Sequence, residues 1–382
     1  MKIAMVGLKG VPFPAGIENF TEQVGARLAE RGHEVTVYVR PYVDVGDSYR
    51  GMRIKRLASV NTKHLDAASH TFLATLAIAF SDADIAHYHA LGPSVLSGIP
   101  RLRRIRTIAH VHGLDWQRAK WSGFAKTCLR GGEYAAAHFP NRTIAISRAL
   151  KQYFETRYGR YVDYVPTGVE RYPYREPREI RKWGLDKEDY VLFLSRLVPE
   201  KGCHYLLEAF SGIQTDKKLV IAGPASHSKE YAQRLERAGG DNIIFTGVVG
   251  GRLLEELFAN AYLFVLPSEI EGLPHALLQA LSFGRCVLAS DIEANVEAMG
   301  DCGLTFASRS VGDLRKKLRY LIENPEAVVE RATGARMHVE SNYSWDAIVD
   351  QLEDVYRRCL EQDRAPRVDA IEPTNGGTKK AC

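Results

Sequence analysis

Short apolar runs rich in β-branched and aromatic residues recur along the chain, each followed by a turn and then by apolar positions at helical spacing. Strands are predicted at residues 2–7, 35–39, 53–57, 85–89, 107–113 and 143–147, then at 190–194, 218–222, 243–247, 263–266 and 285–290. Between them, Phe20, Val24 and Leu28 mark one helix, residues 71–80 and 148–158 two more, and Tyr205, Leu206 and Phe210 a fourth. Leu253, Leu254, Leu257 and Phe258, then Leu273, Leu277, Leu278 and Leu281, residues 313–321 and residues 344–360 complete the helical set. Alternation of this kind builds parallel sheets covered by helices, an α/β class. It breaks once. Residues 167–177, with Gly168, Pro173 and Pro177, favour neither strand nor helix and read as a hinge between residues 1–168 and residues 178–343.

A length of 382 residues supports two such units. The six cysteines are scattered without a close pair, which fits a reducing compartment and argues against a disulfide or zinc-knuckle framework. The N-terminus lacks the long apolar core of a signal peptide, and residues 71–80 reach only half of the ~20 needed to span a bilayer. The protein is therefore expected in the cytoplasm, with residues 363–382 a disordered tail. Charge is uneven: residues 1–175 carry 25 Lys/Arg against 14 Asp/Glu, and the remainder 26 against 32. The basic half would suit a phosphorylated acceptor or peripheral contact with the anionic inner membrane face, or be ordinary solvated surface. No pattern points to nucleic acid.

The most informative stretch is LFVLPSEIEGLPHALLQALSFG, residues 263–284, which reads as strand, acidic loop and helix. A helix N-terminus at a strand's carboxyl end offers unpaired N–H groups to an anion. Glu271 lies in the loop mouth and Gln279 about two helical turns on. A second βα junction, residues 195–202, places Arg196 and Lys201 where cations would clamp a diphosphate leaving group. At the first, Gly7, Gly10 and Gly16 let backbone N–H groups approach phosphate oxygens, and Glu18 sits one position into the helix. The strands at 85–89 and 107–113 carry His87, His89, His110 and His112, spaced so that each pair shares a face. Four such histidines are a candidate metal site and the basis of a rival reading, a metal-dependent hydrolase. Residues 114–132 interleave Trp116 and Trp121 with Arg118, Lys120, Lys126 and Arg130, a pattern for stacking an acceptor sugar, for a membrane surface, or for amphipathic packing.

Several motifs together resemble the retaining glycosyltransferases of family 4. Glu271 and Gln279 stand at the two ends of that family's Glu-x(7)-Glu motif, with glutamine at the second position. Arg196 with Lys201-Gly202 is similar to its phosphate clamp, VHGLDW to its sugar-contacting histidine, and VPTGV to the Pro-Asn-Gly-Val that closes its N-domain. GLKGVPFPAGIENF resembles the opening of a subgroup of surface-polysaccharide, rhamnosyltransferase-like enzymes. The resemblance implies the GT-B fold: two facing Rossmann-like domains, the first binding acceptor and the second nucleotide-sugar, with helix 344–362 crossing back to the first. It implies Glu271, Arg196, Lys201 and His112 as catalytic residues. Donor contacts would come from Gly16, Arg196, Lys201, Gly223, the N–H groups of Leu273, His275 and Ala276, and Gln279 at the ribose; Glu18 and Trp116 would face the acceptor. The donor would be a nucleotide-diphosphate sugar, the acceptor a glycan or lipid-linked hydroxyl, and neither metal nor cofactor would be required. A non-catalytic sugar-nucleotide binder and an epimerase of the same fold stay open beside the hydrolase.

Overall fold

The computed structural model describes residues 1–13, 15–60, 62, 65–117, 123–225 and 229–361. The first sheet contains β1 (Lys2–Val6), β2 (Glu34–Val39), β3 (Ser48–Tyr49), β4 (Met52–Arg56), β5 (Ile85–His89), β6 (Arg106–Val111), β7 (Arg142–Ala145) and β8 (Asp163–Tyr164), in the order 3-4-2-1-5-6-7-8. All pairings are parallel except β3 with β4. The second sheet contains β9 (Tyr190–Leu194), β10 (Lys218–Ala222), β11 (Ile243–Gly247), β12 (Leu263–Leu266), β13 (Cys286–Ser290) and β14 (Gly303–Phe306), all parallel in the order 11-10-9-12-13-14. Each order reverses once, between β1 and β5 and between β9 and β12. Those two crevices, at the strands' carboxyl ends, are where such sheets bind ligands.

Alternation fixes the layers. In β9, Tyr190 and Leu192 pack into the core on one face while Val191 and Phe193 pack into the core on the other, the pattern of a strand covered by helices on both sides. Every strand read from the sequence is present. The unread ones are short: β3 and β8 have two residues each, and β14, GLTF, has a polar residue within a run of four. Residues 114–132 hold a short helical turn at Asp115–Gln117 and the first part of a helix at Gly123–His138, whereas residues 118–122 and the tail 362–382 lie outside the described residues. Among the described residues no helix is long and apolar enough to cross a membrane.

The helix Trp345–Glu361 ties the two sheets together. It follows the second sheet in sequence, yet its buried Trp345, Ile348, Val349, Leu352, Val355, Tyr356 and Cys359 join Phe20, Val24 and Leu28 in the core of the first. Spacing of three and four residues turns that stripe inward. Arg31 reaches Asp350 and Glu353 at its rim. The hinge passes tightly beside it, since a Cβ on Gly168 would lie 2.5 Å from the Trp345 ring. Replacing Leu352 by alanine is therefore expected to cost about 2–5 kcal/mol in urea unfolding; a loss well under 1 kcal/mol would mean that the helix is only loosely applied.

Candidate functional site

At the second crevice, β9 runs into Ser195–Val198, a helical turn at Pro199–Lys201, and the helix Cys203–Ser211. Gly202 takes φ +68°, and a Cβ there would lie 2.0 Å from the Pro267 carbonyl oxygen, so only glycine lets this loop press against the loop after β12. Gly223 does the same on the other side, where a Cβ would meet the Ser195 carbonyl oxygen at 1.9 Å. The result brings Lys201 Nζ to 2.5 Å from Glu271 Oε1, with side chains 13% and 10% exposed. Arg196 lies partly exposed at the same strand end. Pro274 precedes the helix His275–Ser282, which begins after the β12 loop that holds Glu271 and has no side-chain cap at its N-terminus.

The first crevice lies opposite. Gly7 allows the loop after β1 to touch the His89 carbonyl, and Ala90, just beyond β5, holds φ 71° and ψ 166°, a backbone region that only glycine adopts at ease. Gly16 is exposed with open space where a side chain would go, and it opens the helix Gly16–Glu30 without a side-chain cap. Glu18 is buried, and its carboxylate accepts from the Lys9 backbone N–H at 3.1 Å, fastening the loop. Trp116 is half-buried; its Nε1–H donates to Glu133 at 2.5 Å while the Arg130 guanidinium covers its ring at 4.8 Å. Glu133 is the hub of this wall, accepting also from Tyr153 and Tyr158 at 2.9 and 2.6 Å.

His112 is where the two walls meet. A Cβ on Gly272 would fall 2.2 Å from the His112 carbonyl oxygen, and one on Gly113 would lie 3.8 Å from the Gly272 Cα. Backbone of the two domains is thus in contact immediately beside Glu271. The His112 ring is paired with His89, Nε2 to Nδ1 at 3.1 Å. Behind it His87, His89 and His110 are fully buried, with Tyr356 bonded to His87 at 2.7 Å and the Val165 carbonyl to His110 at 3.2 Å.

These three rings bring nitrogens within 4.8 Å of one another, and each has one buried nitrogen without a hydrogen-bond partner. Their planes, however, are nearly parallel, at 5° for His87 with His110, 28° for His87 with His89 and 29° for His89 with His110. In-plane lone pairs on near-parallel rings run side by side, so a tetrahedral ion would require the rings to turn. Burial holds all three neutral: it pushes His89 down to about 3 and His87 and His110 well below the usual histidine range.

The structure thus gathers Arg196, Lys201, Glu271, Leu273, His275 and Ala276 at one crevice with Gly223 behind it. It brings His112 against that crevice from the other domain, sets Gln279 one helical face away toward the hinge, and leaves Gly16 on the opposite loop. Glu18 and Trp116 are occupied in local bonds. Glu133, Ala90 and the His89 partner of His112 were missed, although the His-x-His spacing of β5 carried a signal for the last.

Two family descriptions match the chain, "Glycosyltransferase Family 4" over residues 14–171 and "Glycosyl transferases group 1" over residues 175–338. The D-inositol 3-phosphate glycosyltransferase of Gordonia bronchialis is 25% identical over 94% of this chain and 87% of that one. A GDP-mannose-dependent phosphatidylinositol monomannoside mannosyltransferase of Mycobacterium tuberculosis is 26% identical over 91% and 95%. In fold, the chain superposes on sucrose-phosphate synthase from Thermosynechococcus elongatus with a TM-score of 0.81 at 18% identity, covering 94% of this chain and 99% of that one. Anabaena HepE in complex with UDP-glucose gives 0.77 at 18% identity, covering 94% and 100%.

The histidine cluster sets a pH dependence. An unfolded imidazole takes up protons below about pH 6.5, whereas these folded rings do so only at much lower pH. In that window the unfolded state binds more protons, so stability falls as pH falls, by up to about 1.4 kcal/mol per pH unit for each ring. Denaturant titrations between about pH 7 and pH 5 should show this fall, and His110→Leu should make it shallower. An unchanged slope in the variant would mean that His110 already titrates normally when folded.

Proposed function

The chain belongs to the family 4, group 1 glycosyltransferases and moves a sugar from a nucleotide-sugar donor to an acceptor; from that premise we propose that transfer occurs with retention of anomeric configuration, from a hexosyl or deoxyhexosyl donor to a glycan or lipid-linked hydroxyl. The observation that carries the reading is the Lys201–Glu271 pair at the crevice of the second sheet, faced by His112 of the first.

An incoming diphosphate competes with Glu271 for Lys201. Arg196 and Lys201, with the N–H groups of Leu273, His275 and Ala276 and those near Gly16, take up the charge that grows on the phosphate oxygen as the sugar leaves. Glu271, released from Lys201, accepts hydrogen bonds from the transferred sugar and stabilises positive charge at its anomeric carbon. His112, oriented by His89, holds a sugar hydroxyl. The bond from anomeric carbon to phosphate oxygen breaks, the acceptor oxygen bonds on the same face, and its proton passes to the leaving phosphate. Neither a metal nor a protein nucleophile enters this step. Gln279 faces the pentose of the nucleotide, and the base lies toward Gly223. Residues 1–168 serve the acceptor and residues 178–343 the donor, and the basic first half supports approach to an anionic acceptor or membrane face.

Thermal stability of the metal-stripped protein against UDP-, GDP-, dTDP- and ADP-sugars should rise with one of them, by about 2.7 kcal/mol at 100 times the dissociation constant. Arg196→Ala should remove that rise; a rise that survives would place the diphosphate elsewhere. For stereochemistry, proton NMR of the first product formed should show the donor's own anomeric configuration, and an inverted product would sink the retaining mechanism.

A further inference from the structure

Two residues before Glu271, on the same loop, Glu269 is held from three directions. Its backbone N–H donates to the Glu200 carbonyl at 2.9 Å. Its Oε1 accepts from the Tyr205 hydroxyl at 2.8 Å, and its Oε2 accepts from the Arg309 guanidinium, from Nε at 2.9 Å and from Nη2 at 2.7 Å. Both carboxylate oxygens are thus taken by the protein itself. The contacts join the carboxyl ends of three strands, since Glu200 and Tyr205 follow β9, Glu269 follows β12 and Arg309 follows β14.

Arg309 occupies a backbone place that arginine does not favour. It is the third residue of the turn Ala307–Ser310, which the Ser310 N–H closes on the Ala307 carbonyl at 3.0 Å, and its φ is 65°, the left-handed region where turns prefer glycine. The turn is fastened on both sides of it. Asp313 accepts from the Ala307 N–H at 2.8 Å, Asp291 accepts from the Ser308 N–H at 2.9 Å, and the Ser310 side chain caps the helix Val311–Glu323. A residue other than glycine held in this region costs stability, and the Arg309 side chain, 68% exposed, returns little of it through an ion pair in contact with water.

In the proposed transfer Glu271 leaves Lys201 and turns to the sugar. The turn is productive only if the loop stays in place, and at that moment Lys201 no longer holds it. The side-chain bonds of Glu269 do not involve Lys201, so they persist through the exchange. We propose that Arg309 and Glu269 are positioning residues for the transferred sugar: with Tyr205 they brace the loop after β12, so that an incoming donor moves the Glu271 side chain and not the loop. This rests on the reading of Glu271 as the residue that contacts the sugar, and it goes further by naming what keeps Glu271 within reach.

The test separates sugar from phosphate and function from stability. Calorimetry on the full chain gives dissociation constants for UDP with UDP-glucose, GDP with GDP-mannose, dTDP with dTDP-rhamnose and ADP with ADP-glucose, and urea titration gives the unfolding midpoint. For the pair that the natural protein binds, Arg309→Gly should weaken the nucleotide sugar about tenfold, the order of effect of losing a charged hydrogen bond, and change the nucleoside diphosphate, held by Arg196 and Lys201, by less than about twofold. The same variant relieves the backbone, so its urea midpoint should be unchanged or raised. Glu269→Gln should lose sugar affinity in the same way, and the double variant should be no weaker than Glu269→Gln alone, because one bond is lost in each. Unchanged affinity of Arg309→Gly for the nucleotide sugar, an equal loss for both ligands, or losses that add in the double variant would overturn the proposal and leave the donor site standing. Absence of binding by all four pairs would overturn the donor-site reading and this proposal with it.

Discussion

Lys201 and Glu271 are brought together by two loops from opposite sides of a topological reversal, and neither charge is well hydrated there. Burying one without the other would be strongly unfavourable, so each member of the pair requires the other. Its position is set by backbone, since the αL turn at Gly202 packs on the Pro267 carbonyl at a distance that excludes any side chain. The same pair then defines what a ligand must bring. In the proposed mechanism a diphosphate would supply the negative charge that Lys201 loses when Glu271 turns to the sugar, so the site would exchange one compensated arrangement for another.

The rest of the fold maintains that crevice opposite His112. Gly272 and Gly113 let backbone of the two domains touch, Glu297 of the second domain accepts from the Arg148 backbone N–H at the start of a first-domain helix, and the helix Trp345–Glu361 packs the chain's end into the first sheet's core. Together these contacts register the two crevices against each other, which loop contacts alone would not do.

Much of this was legible in the sequence because it is local. A strand, its following loop and the next helix lie within about twenty residues, so Arg196 with Lys201, and Glu271 with Gln279, declared themselves by position. What escaped depends on distant pairing: Lys201 with Glu271 across 70 residues, His89 with His112, and Glu133 gathering Trp116, Tyr153 and Tyr158. Spacing is also silent on the local partners a side chain takes. The first-turn acid Glu18 accepts from a loop amide, and the Arg130 guanidinium covers the Trp116 ring.

The buried histidines acquire a sense from charge placement. In the proposed reaction, positive charge develops at the anomeric carbon and negative charge on the departing phosphate. Arg196 and Lys201 stand on the phosphate side, and Glu271 is the acid beside the sugar. A histidine wall that carried protons would oppose the first of these charges. Burial keeps His89 neutral by pushing it down to about 3, so it can fix the His112 ring by a hydrogen bond without adding a positive charge. Desolvation there, usually a cost to stability, keeps the rings behind His112 polar but uncharged, and in the proposed reaction the cations would stand on the leaving-group side alone.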